Sequence, residues 1–315
     1  MRPRLLHGCR HRRVLNSNIT AVIVNPAAGR GGIRAKIPSL LETFRARGVT
    51  RVFETSRAGD EETLTLRAID EGANTIVAVG GDGTCGRIAE AIIRSRSRCT
   101  LAVMPAGTGN DFAKTLGVEK FSPEQIADLV RRCRETRIDV GAAAGHFFLN
   151  SCGFGFDASV LEASNGIKWL KGDAVYIYAA LRQLFGYRGM EVRTSGVGGV
   201  ARERMLMVTV SNGRWLGGAF KIAPRASVTD GRLDVCFIRD AGVVRRLKLF
   251  AGAMRGSHLE MPSVTSAVVS QLSLTFAAPP LMEMDGELRV ATSKTLELKC
   301  VPRALAVLAA PGALQ

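Results

Sequence analysis

The chain has 315 residues, 46% hydrophobic, 23% charged and 6% aromatic, with a formal net charge of +15. That composition suits a folded protein with room for two domains, and no apolar run nears the ~18 residues that a membrane-spanning helix needs. The basic surplus fits an anionic partner, but the scarcity of aromatics and the lack of a nucleic-acid-binding module argue against nucleic acid.

Residues 1–18 include Arg2, Arg4, Arg10, Arg12 and Arg13 and no apolar stretch, so they read as a disordered basic leader rather than a secretory signal. From Ile19, strand-like and helix-like patterns alternate. Ile19–Val24 is an apolar run that ends in Asn25-Pro26 and a glycine-rich turn at Gly29, Gly31 and Gly32. Ile37, Leu40, Leu41 and Phe44 recur at helical spacing, with Gly48 as a stop. Val52–Thr55, Thr75–Val79 and Leu101–Met104 read as strands; Glu61–Ala68, Ile88–Ile93 and Gln125–Cys133 read as helices. Such alternation predicts parallel strands with helical crossovers, which bind ligands at the carboxyl ends of the strands.

Beyond Ile138 short strand-like runs dominate: Phe147–Asn150, Met205–Ser211, Leu233–Arg239, Leu272–Phe276 and Thr295–Val301. Asp173–Phe185 is the one helical exception, and Ala304–Leu308 reads as a strand able to return to the first half. The expected fold is an α/β N-terminal domain with a Rossmann-like parallel sheet, then a mostly antiparallel, β-sandwich-like C-terminal domain. The expected division is 1–18 leader, 19–135 nucleotide-binding domain with 302–312 returning to it, and 136–301 substrate domain.

Two glycine–aspartate blocks carry the chemistry, Gly80-Gly81-Asp82-Gly83-Thr84 and Gly107-Thr108-Gly109-Asn110-Asp111. Each follows a strand-like run and precedes a helical one. Glycine lets backbone amides approach an anion, and a helix N-terminus favours negative charge. One such loop is as well explained by a tight turn; two on successive strand ends, each with an Asp and a Thr, point to a nucleotide-phosphate site. The Asn25–Gly32 turn is a third glycine element. A dinucleotide reading, with Gly29-x-Gly31 and Glu54, is weakened by Arg34 at the third glycine position. Asp230-Gly231 and Asp285-Gly286-Glu287 read locally as acidic turns before strands. Seven scattered cysteines without metal-ligand spacing suggest free thiols in a reducing compartment.

Taken in order, these blocks resemble the diacylglycerol-kinase catalytic superfamily, which includes bacterial lipid kinases and the sphingosine and ceramide kinases. The matching segments are Asn25-Pro26-x-x-Gly29, Gly80–Thr84, Gly107–Ala113, Asp139-Val140-Gly141, Phe148–Ala158, Ala223–Gly231 and Asp285-Gly286-Glu287. The Gly-Gly-Asp-Gly-Thr block alone is shared with NAD kinases, which supply an alternative reading; a non-catalytic lipid- or nucleotide-binding relative is another. The resemblance implies an ATP- and Mg2+-dependent kinase acting on the hydroxyl of diacylglycerol or a related long-chain lipid. It implies a nucleotide site of Asn25, Pro26, Ala27, Ala28, Gly29, Thr55, Gly80, Gly81, Asp82, Gly83, Thr84, Cys85, Gly86, Thr108, Asn110 and Asp111. Ser227, Asp230 and the carbonyl of Arg232 match a structural Mg2+ site; Glu287 matches the proposed general base, with Asp82 near the phosphates and the catalytic Mg2+. It further implies a cytoplasmic protein in peripheral contact with the membrane that holds its lipid substrate, with monomer or homodimer left open. Lys168, Trp169, Lys171 and the run to Phe185 form either a membrane-surface segment or a core helix. The chain departs from its relatives at Cys85-Gly86-Arg87, where a polar Asn or His and then Glu are usual; Arg87 there has the reach for phosphate oxygens.

Overall fold

The computed structural model describes residues 19–49, 51–132, 134–167, 170, 174–195 and 201–314; the basic leader, Cys133, Lys168, Trp169 and Lys171 lie outside them. The chain runs β1 (Thr20–Val24), α1 (Ile37–Arg45), β2 (Arg51–Glu54), α2 (Asp60–Asp70), β3 (Thr75–Gly80), α3 (Asp82–Ser95), β4 (Thr100–Pro105), α4 (Asp111–Thr115) and α5 (Pro123–Arg132). It continues with β5 (Glu135–Ala143), β6 (His146–Phe148), β7 (Ser151–Gly155), α6 (Phe156–Asn165), α7 (Ala174–Gly186), β8 (Met190–Ser195), β9 (Ala201–Ser211) and β10 (Leu233–Arg239). Then follow α8 (Val243–Arg255), β11 (Val264–Val269), β12 (Gln271–Phe276), β13 (Leu281–Met284), β14 (Glu287–Val290) and β15 (Thr295–Leu308).

The first half is a parallel sheet in the order β2-β1-β3-β4. Its central strands are apolar apart from Thr20 and Thr75 at their starts, as suits strands covered on both faces, and every residue of β1 and β3 is buried. Helix α1 shows how the sequence specifies its own packing. Pro38 sits in the first turn, where its missing N–H costs nothing, and Ile37, Leu40, Leu41 and Phe44 form one buried stripe. Each such side chain stabilises the fold by about 1.5–3 kcal/mol when fully buried.

The second half is antiparallel, with β14-β13-β7-β9-β8-β12-β15 paired in that order and β10 and β11 added beyond β9. Its core contains Phe148, Phe154, Phe237 and Phe276. Strand β15 joins the halves. It pairs antiparallel with β12 and β5, then runs parallel to β4 at Ala306 and Val307. A register shift between Val301 and Leu305 lets it turn between the two sheets. Buried Asp139 pins that bend by accepting the Arg303 amide at 2.8 Å, and it also accepts the Gly231 amide at 2.6 Å.

Two sequence expectations are corrected. Helix α3 starts at Asp82, so Gly83 and Gly86 lie within its first turns rather than in a loop before it. The second half holds three α-helices among its described residues, α6, α7 and α8, rather than one. Helix α8 packs closely on the segment that follows it, since a Cβ on Gly252 would press on Met261 and His258.

Candidate functional site

The parallel topology brings the carboxyl ends of β1, β2, β3 and β4 to one rim. Asn25 organises it. Its backbone amide donates to the Val79 carbonyl at 2.9 Å, and its side chain donates to Thr84 Oγ1 at 2.9 Å and to Glu61 Oε1 at 3.4 Å. Its Oδ1 accepts the Ala27 amide at 2.9 Å, which folds the turn back on itself. The Thr55 amide donates to the Val24 carbonyl at 2.9 Å, and the Ala106 amide to the Gly80 carbonyl at 2.8 Å. The two glycine loops lie backbone against backbone: a Cβ on Gly81 would stand 3.0 Å from the Gly107 Cα. Asn110, with φ 51°, locks the second loop by accepting the Gly107 amide at 2.8 Å and donating to its carbonyl at 3.0 Å.

These loops wall an open polar cleft of about 570 Å3. Asn25, Pro26, Ala27, Ala28, Gly29, Thr55, Gly81, Asp82, Gly83, Thr84 and Thr108 line it, joined by Glu287 and by Arg34, Arg57 and Arg87. Gly80 lies under Thr84, Gly86 faces Asp285, and Cys85 points into the core of the first half. The N-terminus of α3 opens into this cleft, and its free amides and helix dipole suit an anion. The donors and glycine-lined walls therefore fit a nucleotide's phosphates.

A second, apolar cavity of about 120 Å3 lies beside the cleft, with walls that include Val160, Leu184, Leu206, Leu216 and Phe250. Asp82, Gly109, Asp285 and Gly286 line both spaces. Carboxylates crowd the junction. Asp82 accepts the Phe112 amide at 2.9 Å, and Asp111 accepts the Gly218 amide at 3.1 Å and Lys114 Nζ at 3.2 Å. Burial pushes Asp82 above the usual carboxylate range; burial, with the Asp82 charge adding to it, pushes Asp111 up to about 7. Asp285 accepts three amides, Leu149 at 2.6 Å, Asn150 at 2.8 Å and Ser151 at 3.2 Å, yet burial still holds it up at about 6.

Asp285 and Gly286, with φ 48° and 84°, form the two-residue turn between β13 and β14, a conformation that favours Asp-Gly. The turn delivers Glu287 onto the first turn of α3. A Cβ on Gly83 would lie 3.0 Å from Glu287 Oε1, so glycine there makes room for the carboxylate. Arg87 Nε donates to Glu287 Oε1 at 2.7 Å, and Arg289 Nη2 lies 3.6 Å from Oε2. Arg87 thus has a carboxylate partner within the cleft wall.

Sequence reasoning did not single out Glu61 or Glu283. Glu61 is buried at the cleft and accepts the Gly59 amide at 3.0 Å. Glu283 stands directly across from Gly153 on β7, and Asp157 lies over the same glycine. Among the described residues, the buried atoms Glu283 Oε2, Asp157 Oδ2 and Asn150 Nδ2 are left without a satisfied hydrogen bond, the two carboxyls lie side by side, and all three residues line the apolar cavity. The available signal was a lone acid in the apolar strand Leu281-Met282-Glu283-Met284.

Burial pushes Asp157 from its ordinary value of 3.8 up to about 7. The folded state therefore holds this proton more tightly than the unfolded chain. The stability it contributes is fully present below pH ~4 and is lost as pH rises through about 7. Asp157→Asn removes the cost of burying the charge, so its melting temperature relative to the parent should be more favourable at pH 8 than at pH 5, checked by thermal denaturation at both values.

Ser227, Asp230 and Arg232 share one turn before β10, away from the cleft. Asp230 is exposed and accepts the Arg232 amide at 3.0 Å, and the Ser227 hydroxyl lies 3.2 Å from that of Thr229. A hydroxyl, a carboxylate and a carbonyl are all oxygen donors, as Mg2+ requires. No cluster of three or more His, Cys, Asp or Glu side chains with metal-binding geometry occurs among the described residues. Five described cysteines are free thiols, and no described helix is long and apolar enough to cross a membrane.

A phosphate-type cleft at the strand ends of a parallel sheet, meeting an apolar pocket at a carboxylate-lined junction, defines a phosphotransferase with an alcohol group as acceptor. Residues 20–143 match the diacylglycerol kinase catalytic domain, and residues 150–309 match the YegS C-terminal NAD kinase beta sandwich-like domain. The chain belongs to this diacylglycerol kinase and YegS-like lipid kinase family. It is 33% identical over 221 residues to the "Probable lipid kinase YegS-like" of Pseudomonas aeruginosa (strain UCBPP-PA14), covering 70% of this chain and 72% of that one. It is 26% identical over 268 residues to a diacylglycerol kinase of Bacillus subtilis (strain 168), covering 84% and 88% of the two chains. The fold is also that of a crystal structure of a Bacillus anthracis str. Sterne diacylglycerol kinase, with a TM-score of 0.71 over 94% of this chain and 98% of that one, at 21% identity.

Proposed function

We propose that the chain transfers the γ-phosphate of ATP, with Mg2+, to the free hydroxyl of diacylglycerol or a related long-chain lipid. The observation that carries this reading is the shared wall: Asp82, Gly109, Asp285 and Gly286 line both the polar cleft and the apolar cavity, and Glu287 stands beside them. A nucleotide in the cleft and a lipid in the cavity would meet at that wall. In the transfer, the lipid oxygen bonds to the γ-phosphorus as the β–γ bridging bond breaks, ADP leaves, and the hydroxyl proton passes to Glu287. Phosphoryl transfer asks the protein mainly for alignment and charge stabilisation. The glycine loops and the α3 N-terminus align the phosphates. Arg34, Arg57 and Arg87 would offset their charge, and Asp82 would hold the catalytic Mg2+ through its carboxylate. When bound, that ion neutralises charge on the transferring group.

The test is transfer of labelled γ-phosphate from ATP to a panel of lipids in mixed micelles, with NAD as a control acceptor. Label in diacylglycerol or another long-chain alcohol supports the reading; label in NAD alone, or nucleotide binding without transfer, overturns it. At the separate turn, Asp230→Asn should lower the melting temperature and abolish most of its rise on adding Mg2+. A variant unchanged in both removes Asp230 from the metal assignment.

A further inference from the structure

Most of the exposed large hydrophobic side chains among the described residues lie on α7 and α8. On α7, Tyr178, Leu181 and Phe185 are exposed at one-face spacing, Phe185 at 67%. On α8, Val244, Leu247 and Met254 repeat the pattern, Val244 at 72%. Neither helix contains an Asp or Glu, while Arg182, Arg245, Lys248 and Arg255 are exposed on them. Arg246 is excluded from this set, since it is buried against Asp240 at 2.6 Å and the Leu184 carbonyl at 2.9 Å. The inward faces of the same two helices wall the apolar cavity through Ala180 and Leu184 on α7 and Leu249, Phe250 and Ala253 on α8.

The geometry points to α7 and α8 as a docking platform for an anionic phospholipid bilayer. Exposed aromatic and aliphatic stripes flanked by basic residues without acids match a bilayer surface in both polarity and charge. A bilayer laid on the outward faces lies one helix diameter, about 10 Å, from the cavity. That proximity places the pocket just beneath the membrane from which a lipid substrate would come. It rests on the lipid-kinase reading only for the purpose of the platform, not for its existence. Helix α7 thereby serves both roles that its sequence left open, with Val175, Ala179, Ala180 and Leu184 buried and the opposite stripe exposed.

The experiment uses the full chain with vesicles of equal parts phosphatidylglycerol and phosphatidylcholine, against vesicles of phosphatidylcholine alone, in low and high salt. Two double variants are compared with the parent, Phe185→Ser with Val244→Asn, and Arg245→Glu with Lys248→Glu. None of these four residues lines the cavity or the cleft. The parent should sediment preferentially with anionic vesicles, less so in high salt, and each double variant should bind them at least about tenfold more weakly. Transfer of phosphate to a dispersed short-chain diacylglycerol is measured in parallel and should be unchanged in both variants. Equal binding to both vesicle types, or variants that bind as the parent does, overturns the platform. Loss of binding in the variants with no transfer by any of the proteins sustains the platform and overturns the kinase reading instead.

Discussion

Glu287→Gln should reduce phosphate transfer to lipid by roughly 10²–10⁴-fold, the usual contribution of a positioned general base, while nucleotide binding persists. Glutamine keeps the shape of the side chain and can still accept from Arg87, but it has no carboxylate to receive the hydroxyl proton. The carboxylate makes only partly exposed ion pairs, with side chains 33% and 25% accessible at Arg87 and Glu287. Such pairs stabilise by about 0–1 kcal/mol, so the melting temperature should fall by no more than about 4 °C. Kinetics and thermal denaturation on one preparation check both parts; a variant with near-normal turnover removes Glu287 as the base. Arg87→Ala then separates two tasks for the guanidinium. A fall in kcat with unchanged nucleotide KM means that it holds Glu287 in place, and a rise in KM means that it reaches the phosphates.

Much of this site was legible because its parts are local. The glycine–aspartate blocks announce themselves as strand-end loops, and the Asp-Gly turn before Glu287 is specified by two residues that tolerate positive φ. The alternating apolar periods likewise predicted the parallel half. What escaped is what only the fold brings together. Asp157 and Glu283 meet because β7 and β13 pair with Glu283 opposite Gly153, and neither strand encodes that register alone. Helix α8 escaped because Val244, Leu247 and Met254 stand exposed among its basic residues while Arg246 is buried, which blurs the amphipathic period. The start of α3 was misplaced because glycines at 83 and 86 lower helix propensity; there they leave space for Glu287 and Asp285, and the strand-end anchoring of Asp82 supplies the turn.

The second large effect is expected from a single methyl group. Gly107→Ala should nearly abolish nucleotide binding and destabilise the fold by about 1–3 kcal/mol, the cost of overpacking a closed contact. An added Cβ would overlap the Gly81 Cα, which is backbone and has no rotamer to move away, and would sit 3.0 Å from Asn110 Oδ1, the atom that locks the loop. Relief would require the two loops to separate, and their separation would misplace the amides at the mouth of α3 that the phosphates need. Gly242→Ala is the matched control, because its added methyl meets nothing within 4 Å. Nucleotide titration and thermal denaturation of both variants decide the matter. If Gly107→Ala binds ATP like the control, the contact between the two loops is not what shapes the cleft, and phosphate alignment must come from the Asn25 turn and α3 alone.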